Sequence, residues 1–269
     1  MLYLPTVFKP SSKAQLIKAI EGCLQKAHDE GKPYDCSTGS NGAIGDWDVS
    51  AVTDMSYVFF GNKHPTGANK DIHYVKHSEL FNGDISKWDV SGATNMHGMF
   101  THATHFNGDI SKWDVSGVTN MQGMFNHATH FNGDISKWTV SNVTTFLRMF
   151  HTAEAFNADL GLWDVSSATN MQGMFANTKN FNGDISKWTV SGVTSFQGMF
   201  DTAKSFNCDL NLWDVSRATN MKNMFYHAKS FSQNLCGVWA TSKADKTGMF
   251  TGSNGQVSSD KSKCSSGES

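Results

Sequence analysis

Three groups of side chains in this 269-residue chain have the types and spacing that chemistry needs. The histidines crowd together: His97, His102, His105, His127, His130 and His151, with His64, His73 and His77 shortly before them. His102 and His127 are 25 residues apart, as are His105 and His130. Any fold that stacks 25-residue units therefore brings two imidazole pairs within roughly 5 to 10 Å. Neutral imidazoles at that range are candidate ligands for zinc or another transition metal, and His73 with His77 has i, i+4 spacing. Surface polar positions filled without constraint give the same pattern, and a pH-sensitive patch is a third reading.

The second group is a column of carboxylates, Asp84, Asp109, Asp134, Asp159, Asp184 and Asp209, each two places after an Asn. Calcium could use such oxygens; each Asp could equally accept hydrogen bonds from its own turn, which is the expected role. The third group alternates charge: Lys87, Lys112, Lys137 and Lys187 stand two places before Asp89, Asp114, Thr139 and Thr189, with Asp164 and Asp214 continuing the second row. A regular outward row of this kind is the candidate binding face. No Ser/His/Asp order, phosphate-binding loop or dinucleotide fingerprint occurs, and no acid/base pair stands out from a column of like carboxylates. No catalytic residue, no enzyme activity and no cofactor are expected.

What positions these groups is an internal repeat. Phe81, Phe106, Phe131, Phe156, Phe181, Phe206 and Phe231 recur every 25 residues, and Trp88, Trp113, Trp138, Trp163, Trp188 and Trp213 follow seven places on. An earlier copy starts near Ser40 and carries Trp47; the 41 residues from Trp47 to Trp88 imply an insertion within 60–80. In the last copy Trp239 falls one place late, while Phe250 returns to register. About eight copies are present, spanning 40–255, with atypical end units.

Within a unit, Ile110, Trp113 and Val115 have the L-x-x-L-x-L spacing of a leucine-rich-repeat strand. Alternation turns Trp113 and Val115 inward, Lys112 and Asp114 outward. Met121, Met124, Phe125 and Ala128 then fall at i, i+3, i+4 and i+7, which predicts a short helix, with Thr119 and Gln122 as its capping box. The expected fold class is an α/β repeat solenoid, leucine-rich-repeat-like, of about eight coils, each a strand, a turn and a short helix. A serine column (Ser91, Ser116, Ser141) and a threonine column (Thr94, Thr119, Thr144) are expected to tie each turn to the next.

Residues 1–39 read as a lead-in and capping helix: Leu16, Ile17, Ile20, Leu24 and Ala27 share a face, Ser12 and Gln15 form a capping box, and Gly31 then Pro33 stop it. Residues 256–269 read as a polar, disordered tail. Five cysteines, without C-x-x-C spacing, leave pairing and redox compartment open. Lys plus Arg is 22 against 24 for Asp plus Glu, so nucleic acid is not an expected partner. No stretch approaches the roughly 18 apolar residues of a transmembrane helix, and MLYLPTVFKP does not read as a signal peptide. Charged residues make up 17% of the chain, against about 25% in typical domains, so a core of 19 Phe, 13 Met and 8 Trp must be wrapped in Gly, Ser, Thr and Asn.

The pattern MFxxAxxFNGDISxWDVSxVTxM resembles the repeat of the BspA-type surface proteins found in mycoplasmas, lactic acid bacteria and some algae and protists. The likeness covers about 40–255, and FKPSSKAQLIKAI resembles the helix that precedes such repeats. What the resemblance implies is a cell-surface or extracellular module engaged in adhesion or protein contacts, with a protein or surface glycan as partner and no catalytic residue. Alternatives are a structural component of a cell envelope or virion, or a metal-dependent binder built on His102, His105, His127 and His130.

Overall fold

A left-handed backbone recurs at two positions in every repeat after the first, and it decides the fold. In the computed structural model, which describes residues 7–61 and 73–264, Gly123 has φ 59° and His127 has φ 59°. The same two columns are left-handed at Gly98 and His102, Arg148 and Thr152, Gly173 and Asn177, Gly198 and Thr202, and Asn223 and His227. An α-helix needs negative φ at every residue, so no helix forms over Met121–Ala128. The apolar i, i+3, i+4, i+7 stripe is buried all the same, because a chain of tight turns puts those side chains inside. The N–H groups of Met124, Asn126 and Ala128 return to the carbonyls of Met121, Gly123 and Phe125, three residues back. The intervening N–H groups cross to the next unit: Gly123 to Leu147 at 2.8 Å, Phe125 to Met149 at 2.9 Å and His127 to His151 at 2.8 Å.

The expected α/β, leucine-rich-repeat-like solenoid with a strand and a helix in each coil is therefore corrected. Among the described residues there are two α-helices, α1 (Lys13–Glu30) and α2 (Val238–Thr241), and one parallel two-stranded sheet, β1 (Asn234–Leu235) with β2 (Gln256–Val257). The repeats are turns and extended links, joined by isolated parallel bridges through Asn95, Asn120, Thr145, Asn170, Ser195 and Asn220. The ladder thus runs through the stretch expected to be helical. In the stretch expected to be a strand, exposure does alternate, with Lys112 and Asp114 out and Trp113 and Val115 in, but the link between units is made by side chains.

Tryptophan makes that link. From Trp113 to Trp213 each indole N–H donates to a carbonyl 28 residues earlier, Trp113 to Ile85, Trp138 to Ile110, Trp163 to Ile135, Trp188 to Leu160 and Trp213 to Ile185, at 2.9 to 3.1 Å. The displaced Trp239 still reaches Leu210 at 3.0 Å. Phe106 stacks on Phe131 and Phe131 on Phe156, all with centroids 6.0 Å apart, while Phe125 lies 3.9 Å from Phe131 within its own unit. Large flat rings suit this arrangement because identical side chains must superpose at every step. Threonine adds a polar seam: Thr119, Thr144 and Thr169 each give both N–H and hydroxyl to the carbonyl of the preceding Thr. The serines do not bridge units. Ser91 and Ser116 close turns within their own unit by donating N–H to Asp89 and Asp114, and Asn120, not a Thr119 capping box, receives the Gln122 N–H.

Both ends are closed. Helix α1 starts at Ser12, whose hydroxyl accepts from the Gln15 N–H, and ends at Gly31 with φ 61°; Leu16, Ile20 and Leu24 are fully buried against the first unit. Cys23 in α1 is bonded to Cys36. At the other end β2 pairs with β1, and Cys264 is bonded to Cys236, within the stretch that composition reads as a tail. The insertion's flanks pack, Val75 donating to the Phe60 carbonyl at 2.8 Å, whereas 62–72, with His64, lie outside the described residues.

Two outcomes follow from this packing. Trp138→Ala should cost about 3 to 5 kcal/mol in chemical denaturation, and Trp138→Phe about 1 to 3 kcal/mol, because it leaves the Ile110 carbonyl without its donor; an unchanged midpoint for Trp138→Phe would refute the indole link. Alkylation of unfolded, unreduced protein should label one thiol, Cys208, and breaking the Cys236–Cys264 bond should lower stability by about 2 to 4 kcal/mol, read as faster hydrogen exchange in β1 and β2.

Candidate binding face

Three rows of side chains cover the face outside the Trp column. Lys87, Lys112, Lys137 and Lys187 are exposed, as are Asp89, Asp114, Thr139, Asp164, Thr189 and Asp214 two places on. The structure brings them together as two adjacent columns, because each flanks a buried Trp whose position is fixed by the unit beneath it. The outer carboxylates Asp84, Asp109, Asp134 and Asp184 form a third row.

The carboxylates are committed to the backbone. Asp84, Asp109 and Asp134 accept the N–H of Ser86, Ser111 and Ser136 at 2.9 Å, and Asp114, Asp164 and Asp214 accept those of Ser116, Ser166 and Ser216 at 3.0 Å. The Ser111 hydroxyl and N–H hold the Asp109 carboxyl below its usual range, against the cost of burial and with help from Lys112. Asp48 is lowered to about 2, first by Lys9 at 2.7 Å and then by Ser50. Hydrogen bonds to the charged form, more than ion pairing, keep this face ionised. Lys87 pairs with Asp46 of the preceding unit at 3.2 Å; with both partners exposed, such a pair contributes little stability.

The asparagines beside these rows form a ladder of their own. Each Asn side-chain oxygen accepts the N–H of the Asn one unit on, Asn82 from Asn107, Asn107 from Asn132 and Asn132 from Asn157, at 2.8 to 2.9 Å. That leaves the column a structural part of the stack.

The histidines fall into two sets. His102 and His127 occupy the left-handed position of their units, a conformation His tolerates better than most residues, and their rings stack 4.4 Å apart at 11°. Imidazole lone pairs lie in the ring plane, so rings stacked face to face aim past one another rather than at one ion. His105 and His130 also stack, at 5.4 Å, and their Nδ1 atoms engage the carbonyls of Glu79 and Thr104. Among the described residues no three His, Cys, Asp or Glu side chains converge as a metal's ligands would. Burial, then Arg148, lowers the His127 pKa; burial, then His127 and Arg148, takes His151 down to about 4.

Leu162 and Leu212, both exposed, stand in the lysine column, between Lys137 and Lys187 and beyond Lys187. They were not among the candidate residues, although the signal was present: an apolar residue at a column position otherwise held by Lys. A shallow groove of about 410 Å³ opens beside Ser186, Lys187, Thr189, Leu212 and Asp214. A larger one, about 720 Å³, lies at the other end of the face, lined by Phe8, Trp47, Asp46, Asp48, Lys87 and Asp89.

The acid response follows from these shifts. A histidine whose folded pKa lies below its ordinary value binds its proton more readily when unfolded. The stability tied to neutral His127 and His151 is therefore complete above about pH 6.5 and falls as pH drops towards 4; the share tied to Asp48 and Asp245, each near 2 when folded, is lost only below about 3.8. Melting should decline by roughly 2 to 4 °C between pH 7 and 4.5, and His151→Gln should flatten that limb and leave the lower one intact. Equal slopes in both proteins would contradict the burial assigned to His151.

A family described as "Mycoplasma protein of unknown function, DUF285" matches residues 32–80, 70–178 and 153–262. No curated protein and no solved structure matches. Among the described residues no helix is long and apolar enough to cross a membrane.

Proposed function

We infer that this chain, which belongs to the DUF285 repeat family, is a non-enzymatic interaction or adhesion module whose Lys, Asp and Thr columns meet a protein or a surface glycan. The observation that carries this reading is the division of labour among its polar groups. One oxygen of each Asp, and the Asn107, Thr144 and Trp138 heteroatoms with their counterparts in other units, are spent on joining turns and units, while Lys112, Lys137 and Lys187, with Thr139 and Thr189 two places on, stand exposed on that framework. A recognition surface needs that kind of preorganisation. Two further points favour display in an oxidising compartment: the Cys23–Cys36 and Cys236–Cys264 bonds, of a kind that is rare in the reducing cytosol, and the likeness to BspA-type surface proteins.

A structural role in a cell envelope or virion is the second reading, favoured by the closed ends. One experiment separates the two. Labelled protein is titrated onto cell surfaces and immobilised matrix proteins, alongside a Lys112→Ser/Lys137→Ser variant and a charge-matched control, Lys204→Ser/Lys229→Ser, altered in a different exposed column. The interaction reading expects saturable binding, weakened at least about tenfold, roughly 1.4 kcal/mol, in the first variant alone. Equal losses in both, or no saturable binding by any form, would favour the structural reading.

A further inference from the structure

Residues 73–80, which lead from the insertion back into the stack, are pinned across the N-terminal cap by side chains that include three histidines. His73 Nε2 lies 2.6 Å from Glu21 Oε1, and Lys76 Nζ donates to Gln25 Oε1 at 2.9 Å. His77 stacks on His28, with ring centroids 4.3 Å apart and 16° between the planes. Glu21, Gln25 and His28 fall at i, i+4 and i+7, so all three contacts lie along one face of α1. Tyr34 completes the group: its hydroxyl is 2.9 Å from His28 Nδ1, and its ring centroid is 5.7 Å from that of His77. Among the described residues, the buried side-chain N and O atoms that lack a partner are His77 Nε2, Ser78 Oγ and Glu79 Oε2. They sit on three consecutive residues, so the polar groups left unsatisfied are concentrated where this limb meets the cap.

We propose that the His28–His77 stack is an acid-released clasp between α1 and the limb 73–80. The arrangement suits uncharged rings. A neutral His28 can accept the Tyr34 hydroxyl proton at Nδ1, whereas an imidazolium has only donors. A charged His77 would likewise donate from both nitrogens, and its Nε2 faces no acceptor. Charges on both rings at this separation repel. Burial first, then the charges of His28 and Lys76, keeps His77 below its ordinary pKa, against the opposing pull of Glu79 and Asp29. The sign follows: the open limb gives His77 its ordinary proton affinity and the closed limb does not, so opening takes up a proton and grows as pH falls below about 6.5. One such histidine favours opening by at most roughly thirtyfold at about pH 5. A proton on His73 works the other way, because it strengthens the contact with Glu21. Acid therefore frees the limb at His77 while holding it at His73. The clasp shares no residue with the Lys, Asp and Thr columns and stands whether or not they meet a partner.

Hydrogen exchange on the full chain, followed by NMR and corrected for the intrinsic rate of each amide, tests this. The reporters are Ser78 and Leu80, whose N–H groups bond to the carbonyls of Val75 and His77; Gly123 and Phe125 in the stack are the reference. Between about pH 7.5 and 5 the opening seen at Ser78 and Leu80 should rise roughly tenfold while the reference amides stay protected. His77→Asn, which keeps a residue that tolerates the left-handed φ of 66° at this position, should abolish the rise. His28→Gln, which leaves His77 in place, should shrink it. His130→Gln, which breaks the exposed stack with His105, should leave it at the wild-type size. No rise in the wild type, an equal rise at Gly123 and Phe125, greater protection in acid because a charged His77 pairs with Glu79, or a full rise in His77→Asn would overturn the proposal.

Discussion

The hydrogen bond from the Gly123 N–H to the Leu147 carbonyl has counterparts at Tyr57, Gly98, Arg148, Gly173, Gly198 and Asn223, and the rest of the molecule is arranged around that row. Such a bond leaves its own unit, so it exists only if the next 25 residues fold in register. Between these bonds lie turns that close three residues back, and the left-handed residues at both columns are what let the chain alternate between the two. A backbone that must satisfy its N–H groups without helix or wide sheet does so here one residue at a time. Aromatic rings then fill the interior, because only side chains that superpose on their own copies can follow such a strict repeat.

The same constraint decides which groups are left for recognition. Side chains that meet their own kind at every step become ladders: Asn accepts from Asn, Thr donates to Thr, and Trp donates to the unit beneath. Polar atoms used in this way are fixed and already satisfied, which is why the carboxylate rows and the stacked histidines serve the architecture. Interior columns exchange one apolar residue for another, as at Met121 and Phe146, whereas the exposed column beside the Trp changes from charged to apolar, as at Lys137 and Leu162. The exposed columns carry the individuality of the molecule on a framework that is nearly the same in each unit.

Much of this was legible in the sequence, and the part that was not has a physical cause. The 25-residue register, the inward Trp and Val, the outward Lys and Asp, and the bounds of α1 from Ser12 to Gly31 could all be read from spacing and capping residues. The helix over Met121–Ala128 could not be ruled out, because a series of tight turns buries the same i, i+3, i+4, i+7 positions as a helical turn does. The contrary signal was weak: Gly123, Gly173 and Gly198 share a column with Arg148 and Asn223, so the requirement for positive φ is only partly written in glycine. The indole bonds, 28 residues long, could not be foreseen without the register of the folded units. The disulfides were equally hidden, since Cys23 with Cys36 and Cys236 with Cys264 meet only once the end segments are folded.

Every second N–H in the Met121–His127 stretch bonds to the following unit, and on this the whole fold rests. Scalar couplings across hydrogen bonds, measured by NMR on isotopically labelled protein, address this directly. Couplings are expected from the Gly123 nitrogen to the Leu147 carbonyl carbon and from the Phe125 nitrogen to that of Met149, with the matching pairs in neighbouring units. Couplings from Gly123 to Thr119 and from Phe125 to Met121, the i−4 partners of an α-helix, would contradict it.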